Sequence, residues 1–280
     1  MELAGQAALL ATWEAGLAAG RSGRALLLHT VARPGAGTAE LLAVPLGERD
    51  TELFGLRVEL FGEQLNVRAG CPGCAEEMEF AFDARQLVGS ALSGSVGELG
   101  DPGESGGVGE LGDAGKSAGV GKSGGAAESS QAGPLWVELD GWRVDFRLPT
   151  PGDVAAAEQA TAGRGRAVLL ERCVLTAEHG GEPVAARQLP EPVQRRMAEA
   201  AAAADPCADV RLNLSCPECG RQALAELDIA SYLWEELDDW ARATLLDVHL
   251  LATAYGWSEA EILALSPLRR RYYLELCADA

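Results

Sequence analysis

At 280 residues and 48% apolar, the chain can bury a sizeable core, either as one large domain or as two small ones. Its 42 acids against 23 bases leave a net charge of −19. That balance argues against binding a nucleic-acid backbone, where a basic face supplies most of the affinity. Both lysines, Lys116 and Lys122, fall in one Gly-rich stretch, which excludes a Schiff-base lysine from the folded body.

The opening residues lack a basic segment followed by an apolar run, so no secretory signal is expected and a cytoplasmic location is. No apolar run approaches 18 residues, so no membrane span is expected either. Leu10, Trp13 and Leu17 mark one helix face, and residues 24–31 predict a second helix. Residues 48–61 predict a third, with Leu53, Leu56, Val58 and Leu60 as core candidates. Met78, Phe80 and Phe82 then alternate with Glu79 and Ala81 at the period of a strand.

Residues 89–133 are almost wholly Gly, Ser and Ala with a few charges, a composition that cannot offset its own ordering entropy. They read as a disordered linker of about 45 residues. It either joins two domains or loops out of one domain whose halves, 1–88 and 134–280, pack together. Three G-x-S-x-G matches inside it (around Ser105, Ser117 and Ser123) lack the strand–turn–helix setting that gives that motif meaning.

Beyond it, residues 135–139 and 142–148 flank Asp140-Gly141, a strong hairpin signal. Thr150-Pro151 predicts a capped helix start, and Ala-rich helices follow near 164–173 and 193–204. Val210, Leu212 and Leu214 alternate as a strand. A long helix runs from Asp228 to about Tyr255, with the stripe Ile229, Leu233, Leu237, Trp240, Val248, Leu251 and Tyr255 and one polar gap at Thr244. The fold class is thus mainly α with a small β portion.

Four of the seven cysteines form two Cys-Pro-x-Cys pairs, Cys71/Cys74 and Cys216/Cys219. Each pair is followed by eight residues and an aspartate, Asp83 or Asp228, placed to cap a helix. The two-residue gap lets both sulfurs of a pair face one ion, and four thiolates close a tetrahedron around zinc. The expectation is a helical scaffold carrying a split zinc ribbon, built from two β-knuckles far apart in sequence. A closed four-cysteine site has no open position, so its zinc is structural. The obstacle is separation, because 141 residues lie between Cys74 and Cys216 where a ribbon usually has about 15–20. Two independent redox pairs and an empty knuckle are the competing readings. Cys173, Cys207 and Cys277 lack partner spacing and read as small apolar residues.

No catalytic set emerges. His29 lies in an apolar helix, His179 in a Gly-rich turn, and His249 inside the long helix. Neither a metalloprotease pattern nor a glycine-rich nucleotide fingerprint is present, so the chain reads as a non-enzyme.

The last 35 residues contain Asp247-Val248-His249-Leu250-Leu251, Tyr255-Gly256-Trp257-Ser258-Glu259, Ile262-Leu263, Pro267, Arg269-Arg270 and Tyr272-Tyr273-Leu274. Read physically, three helices meet in a corner, with Trp257, Ile262 and Leu263 inside and residues 269–271 outside. This stretch resembles the baseplate hub assembly chaperones of contractile-tailed phages and phage-tail-like contractile injection systems. Pro45-Leu46-Gly47-Glu48-Arg49-Asp50, Leu60-Phe61-Gly62, Phe146-Arg147-Leu148-Pro149-Thr150 and the cysteine pairs are similar to bacterial members of that family. Departures are the long linker, and Gly73 and Ala75 in the first knuckle.

The resemblance implies a cytoplasmic, non-catalytic protein that binds hub or spike components while a baseplate is assembled. Candidate partner-binding residues are His249, Tyr255, Trp257, Arg269, Arg270 and Tyr273. An alternative is a zinc-ribbon nucleic-acid or transcription-associated module, against which the net charge speaks.

Overall fold

In the computed structural model, residues 5–92 and 133–278 are described. They are mostly helical, with three small antiparallel sheets. In chain order the elements are α1 (Gln6–Leu17), α2 (Arg21–Ala32), α3 (Thr38–Leu41), α4 (Leu46–Phe61), β1 (Gln64–Gly70), β2 (Glu77–Asp83) and α5 (Ala84–Leu92). After the gap come β3 (Leu135–Leu139), β4 (Trp142–Phe146), α6 (Pro151–Glu158), α7 (Gly165–Cys173), β5 (Val174–His179), β6 (Glu182–Pro183) and α8 (Glu191–Ala204). The chain finishes with β7 (Arg211–Ser215), β8 (Gln222–Glu226), α9 (Ile229–Tyr255), α10 (Glu259–Leu263) and α11 (Pro267–Ala278). The expected linker falls outside the described residues from 93 to 132, and its first four residues instead complete α5. No helix of the described residues is long and apolar enough to cross a membrane.

Two compact units are present, and their division does not follow the Gly/Ser-rich stretch. One comprises Ala36–Asp228; the other joins Met1–Gly35 to Ile229–Ala280.

In the middle unit, β3–β4–β5–β6 form one sheet. Asp140 and Gly141 both take positive φ, 51° and 77°, as a tight two-residue hairpin turn demands. Alternation puts Leu135, Val137, Val144, Phe146 and Ala177 on one face, where Val193, Met197 and Ala200 of α8 cover them. Asp153, fully buried, is held by Arg147 at 2.5 and 2.8 Å and by Arg172 at 2.7 Å, and it completes a capping box with Thr150. Burial alone raises its pKa, but the bonds from Arg147, the Thr150 amide and Arg172 outweigh that and hold it below the usual carboxylate range.

Helix α4 starts at Leu46, two residues earlier than expected, because its cap comes from far along the chain. Asp205 Oδ2 accepts from the Gly47 amide at 2.8 Å, taking the role that Pro45 has no side chain to fill. Leu53 and Leu56 are buried as expected; Phe54 and Arg57 join them, while Val58 and Leu60 are half-buried.

In the unit of the two ends, α1 and α2 pack on α9. Trp13 Nε1 donates to Asp238 Oδ1 at 2.7 Å. Gly16 is required because the Trp234 ring fills the space of a side chain there, and the Arg24 guanidinium lies 4.8 Å from the Trp234 ring centroid. Thr244 is no polar gap: it is buried, as are Trp234 and Ala241, since α9 is covered by α1 and α2 and by α10 and α11. Gly256 ends α9 at φ 70°, and Ser258 and Glu261 form a capping box at the start of α10.

The buried Asp50 supplies a test. Burial, with repulsion from Asp228 and Asp205, outweighs its bond to Arg49 and pushes its pKa to about 6 from 3.8. The folded state therefore binds the proton more tightly than the unfolded state, and stability is lost as pH rises from about 4 through 6. Asp50→Asn is expected to be more stable than the parent at pH 8 by about 1–3 kcal/mol, with the gap closing towards pH 4. Urea unfolding across that pH range measures it.

Candidate metal centre

Two hairpins of the middle unit carry the cysteine pairs. Strand β1 pairs with β2 from Gln64↔Asp83 to Gly70↔Glu77, leaving residues 71–76 as the connecting turn. Strand β7 pairs with β8 from Arg211↔Glu226 to Ser215↔Gln222, leaving residues 216–221. The same turn is built twice. The Cys71 amide donates to the Glu76 carbonyl at 2.8 Å, and the Cys216 amide to the Arg221 carbonyl at 2.9 Å. Four residues on, the amides of Ala75 and Gly220 each donate back to the first cysteine's carbonyl at 2.9 Å. Those two residues take the left-handed conformation, φ 61° and 68°. The echo in the sequence is thus an echo of backbone geometry, and Asp83 caps α5 through the amides of Arg85 and Gln86 at 2.8 and 2.9 Å.

The four thiols meet. Cys71 Sγ lies 3.6 Å from Cys219 Sγ, and Cys74 Sγ lies 3.6 Å from Cys216 Sγ. All four sulfurs fall within 4.8 Å of one another. Cys71 and Cys216 are buried against Met78, Ala69 and Phe80, while Cys74 and Cys219 face solvent. A tetrahedral ion with bonds of about 2.3 Å to sulfur needs sulfurs about 3.8 Å apart, so the four fit around one metal ion.

Their electrostatics point the same way. The amides of Cys74 and Gly73 lower the Cys71 pKa to about 6, the Gly73 amide lying 3.3 Å from the sulfur. At Cys74 the Glu76 amide favours the thiolate, but the thiols of Cys71, Cys216 and Cys219 together with burial push the pKa to about 12. The Arg221 amide favours the Cys219 thiolate, yet Cys71, burial and Cys216 raise that pKa too. Cys71 thus favours its thiolate while Cys74 and Cys219 resist theirs, a resistance that a bound dication would offset.

The remaining candidates sit elsewhere. His249 and Arg269 are exposed. Tyr255, Trp257 and Tyr273 form one aromatic cluster: Trp257 stacks on Tyr255 at 4.7 Å and meets Tyr273 edge-on at 4.9 Å. Arg270 overturns its expectation. It is buried, paired with Asp247 at 3.3 Å and donating to Gln6 at 2.8 Å, so it holds α11 in place rather than facing outward. Of the other cysteines, Cys173 and Cys207 are buried and Cys277 is half-buried. His29 is fully buried and His179 stacks on Trp142 at 4.5 Å.

Sequence reading missed the apolar residues on the outer side of α11, where Leu268, Tyr272 and Leu276 are each at least 60% exposed. Their spacing of four was legible, but which side of the helix faces outward was not. Comparisons with protein-family models, with curated proteins and with solved structures find no match to this chain.

Ala75 does what Gly220 does, with a Cβ in the left-handed region. Ala75→Gly is expected to raise unfolding free energy by about 0.5–1 kcal/mol and Gly220→Ala to lower it by about 1 kcal/mol, measured by urea denaturation.

Proposed function

We propose that the four cysteines hold one structural zinc ion in a split zinc ribbon, and that the chain is a non-catalytic assembly factor. The observation that carries the zinc reading is the convergence of four sulfurs from two hairpins 141 residues apart in sequence. An all-thiolate donor set suits zinc, and with four protein ligands no position is left for substrate, so the ion braces the fold. Cys71, Cys74, Cys216 and Cys219 are its ligands.

The assembly reading rests on the resemblance of the C-terminal residues to baseplate hub assembly chaperones, and the acidic charge fits it better than nucleic-acid binding. The partner is a hub or spike component of a contractile injection system, engaged in the cytoplasm. His249, Tyr255, Trp257, Arg269 and Tyr273 stay on the binding surface, Arg270 leaves it, and the exposed Leu268, Tyr272 and Leu276 join it. Apolar side chains left this open suit a surface that another protein covers.

Metal analysis of the purified chain is expected to give one zinc per molecule, and Cys216→Ser to lose it along with most of the thermal stability, since structural zinc is worth about 10–16 kcal/mol in small peptides. A metal-free chain with a reversible disulfide points instead to a thiol oxidoreductase. For the partner, co-purification with hub and spike proteins encoded beside this chain is the measurement. Combined Leu268→Ala, Tyr272→Ala and Leu276→Ala changes are expected to weaken that binding by at least about tenfold with little change in melting temperature. Binding to DNA or RNA in place of those proteins overturns the assembly reading.

A further inference from the structure

The two knuckles share a backbone but not their side chains. Where the first has Gly73, the second has Glu218; where the second has Arg221, the first has Glu76. Arg221 uses that difference. Its side chain crosses from the second knuckle onto the first and lies over Gly73, so close that a Cβ at Gly73 would stand 2.9 Å from both its Cδ and its Nε and 3.4 Å from its guanidinium carbon. Gly73 lies between Cys71 and Cys74, and its own amide reaches the Cys71 sulfur. The guanidinium of this exposed residue therefore lies over the loop that bears two of the four thiols. Among the described residues it makes no ion pair with a carboxylate, in a chain with 42 acids.

We propose that Arg221 is the counter-cation of the four-cysteine centre, and that residue 73 is glycine to let it reach there. This rests on the metal reading above. Four thiolates around a dication carry a net charge of −2, and a positive group set beside them lowers the energy of the charged, metal-bound state relative to the protonated, empty one. The contact also ties the two halves of the centre by a second link that does not involve the metal. Arg221 is a positioning and charge-balancing residue; the ligands remain the four cysteines.

The test uses the full chain loaded with zinc, comparing Arg221→Ala, Arg221→Lys, Gly73→Ala and the double variant Gly73→Ala/Arg221→Ala. Zinc affinity is read by competition with a chromogenic chelator, at low and high ionic strength, with circular dichroism to check the fold. Arg221→Ala is expected to bind zinc about tenfold more weakly at low salt, and Arg221→Lys to recover most of that loss. High salt is expected to narrow the gap, because it screens a charge term and leaves a packing term unchanged. Gly73→Ala is expected to weaken binding in the parent and to add nothing in the Arg221→Ala background. Arg221→Ala with the parent's affinity overturns the proposal, as does failure of lysine to recover any of the loss. A parent chain that binds no zinc overturns the metal reading and this inference together, whereas one zinc per chain with indifferent Arg221 variants overturns this inference alone.

Discussion

Four sulfurs brought within 4.8 Å of one another cannot all carry charge unless something compensates it. One of them, Cys71, ionises easily because amides point at it, while the neighbouring thiols push the pKa values of Cys74 and Cys219 up. This constraint organises the middle unit. Both hairpins must present their turns at one point, and each turn must repeat the same backbone bonds for the sulfurs to converge. The left-handed residue at the end of each turn is part of that requirement, and the chain tolerates it at Ala75 where glycine is the easier choice.

The long sequence gap between the pairs is a smaller obstacle than it looks. Closing a flexible loop of 141 residues costs only about 2 kcal/mol more than closing one of about 18, because the cost grows with the logarithm of length. Ordered elements within the intervening chain do part of that work. The β3–β6 sheet against α8 forms a core of its own, and Asp205, just ahead of β7, binds the start of α4, just ahead of β1. The segments leading into the two hairpins are thus linked by a bond that owes nothing to the cysteines. A metal ion held by the four sulfurs would then need to fix only the turns.

What could be read in the sequence and what could not follows the range of the interactions. Asp140-Gly141, the helix starts at Thr150 and Ser258, the strand alternation and both cysteine turns are set within a few residues of themselves, and each was legible. Helix α4 starting at Leu46, the burial of Thr244 and the inward turn of Arg270 depend on Asp205, on the helices packed around α9 and on Asp247. Periodicity shows that a helix has faces but does not count how many neighbours will cover them, so the stripe on α9 was read too narrowly. Arg270 in particular looks like one of three adjacent surface arginines, and only the fold distinguishes it from Arg269 and Arg271.

Arginine has a consistent place in this acidic chain. At several sites the guanidinium meets a carboxylate: Arg147 and Arg172 at Asp153, Arg49 at Asp50, Arg270 at Asp247. A planar fork with several donors suits such sites better than an ammonium, which explains how the described residues do without lysine. Arg221 instead lies over Gly73, in a thiol-bearing loop. The backbone repeat of the two turns would put equivalent side chains in equivalent places, and matching residues at the third and sixth positions would either crowd or repel across the centre. Gly73 opposite Glu218 and Glu76 opposite Arg221 break that symmetry, so one crossing contact replaces two.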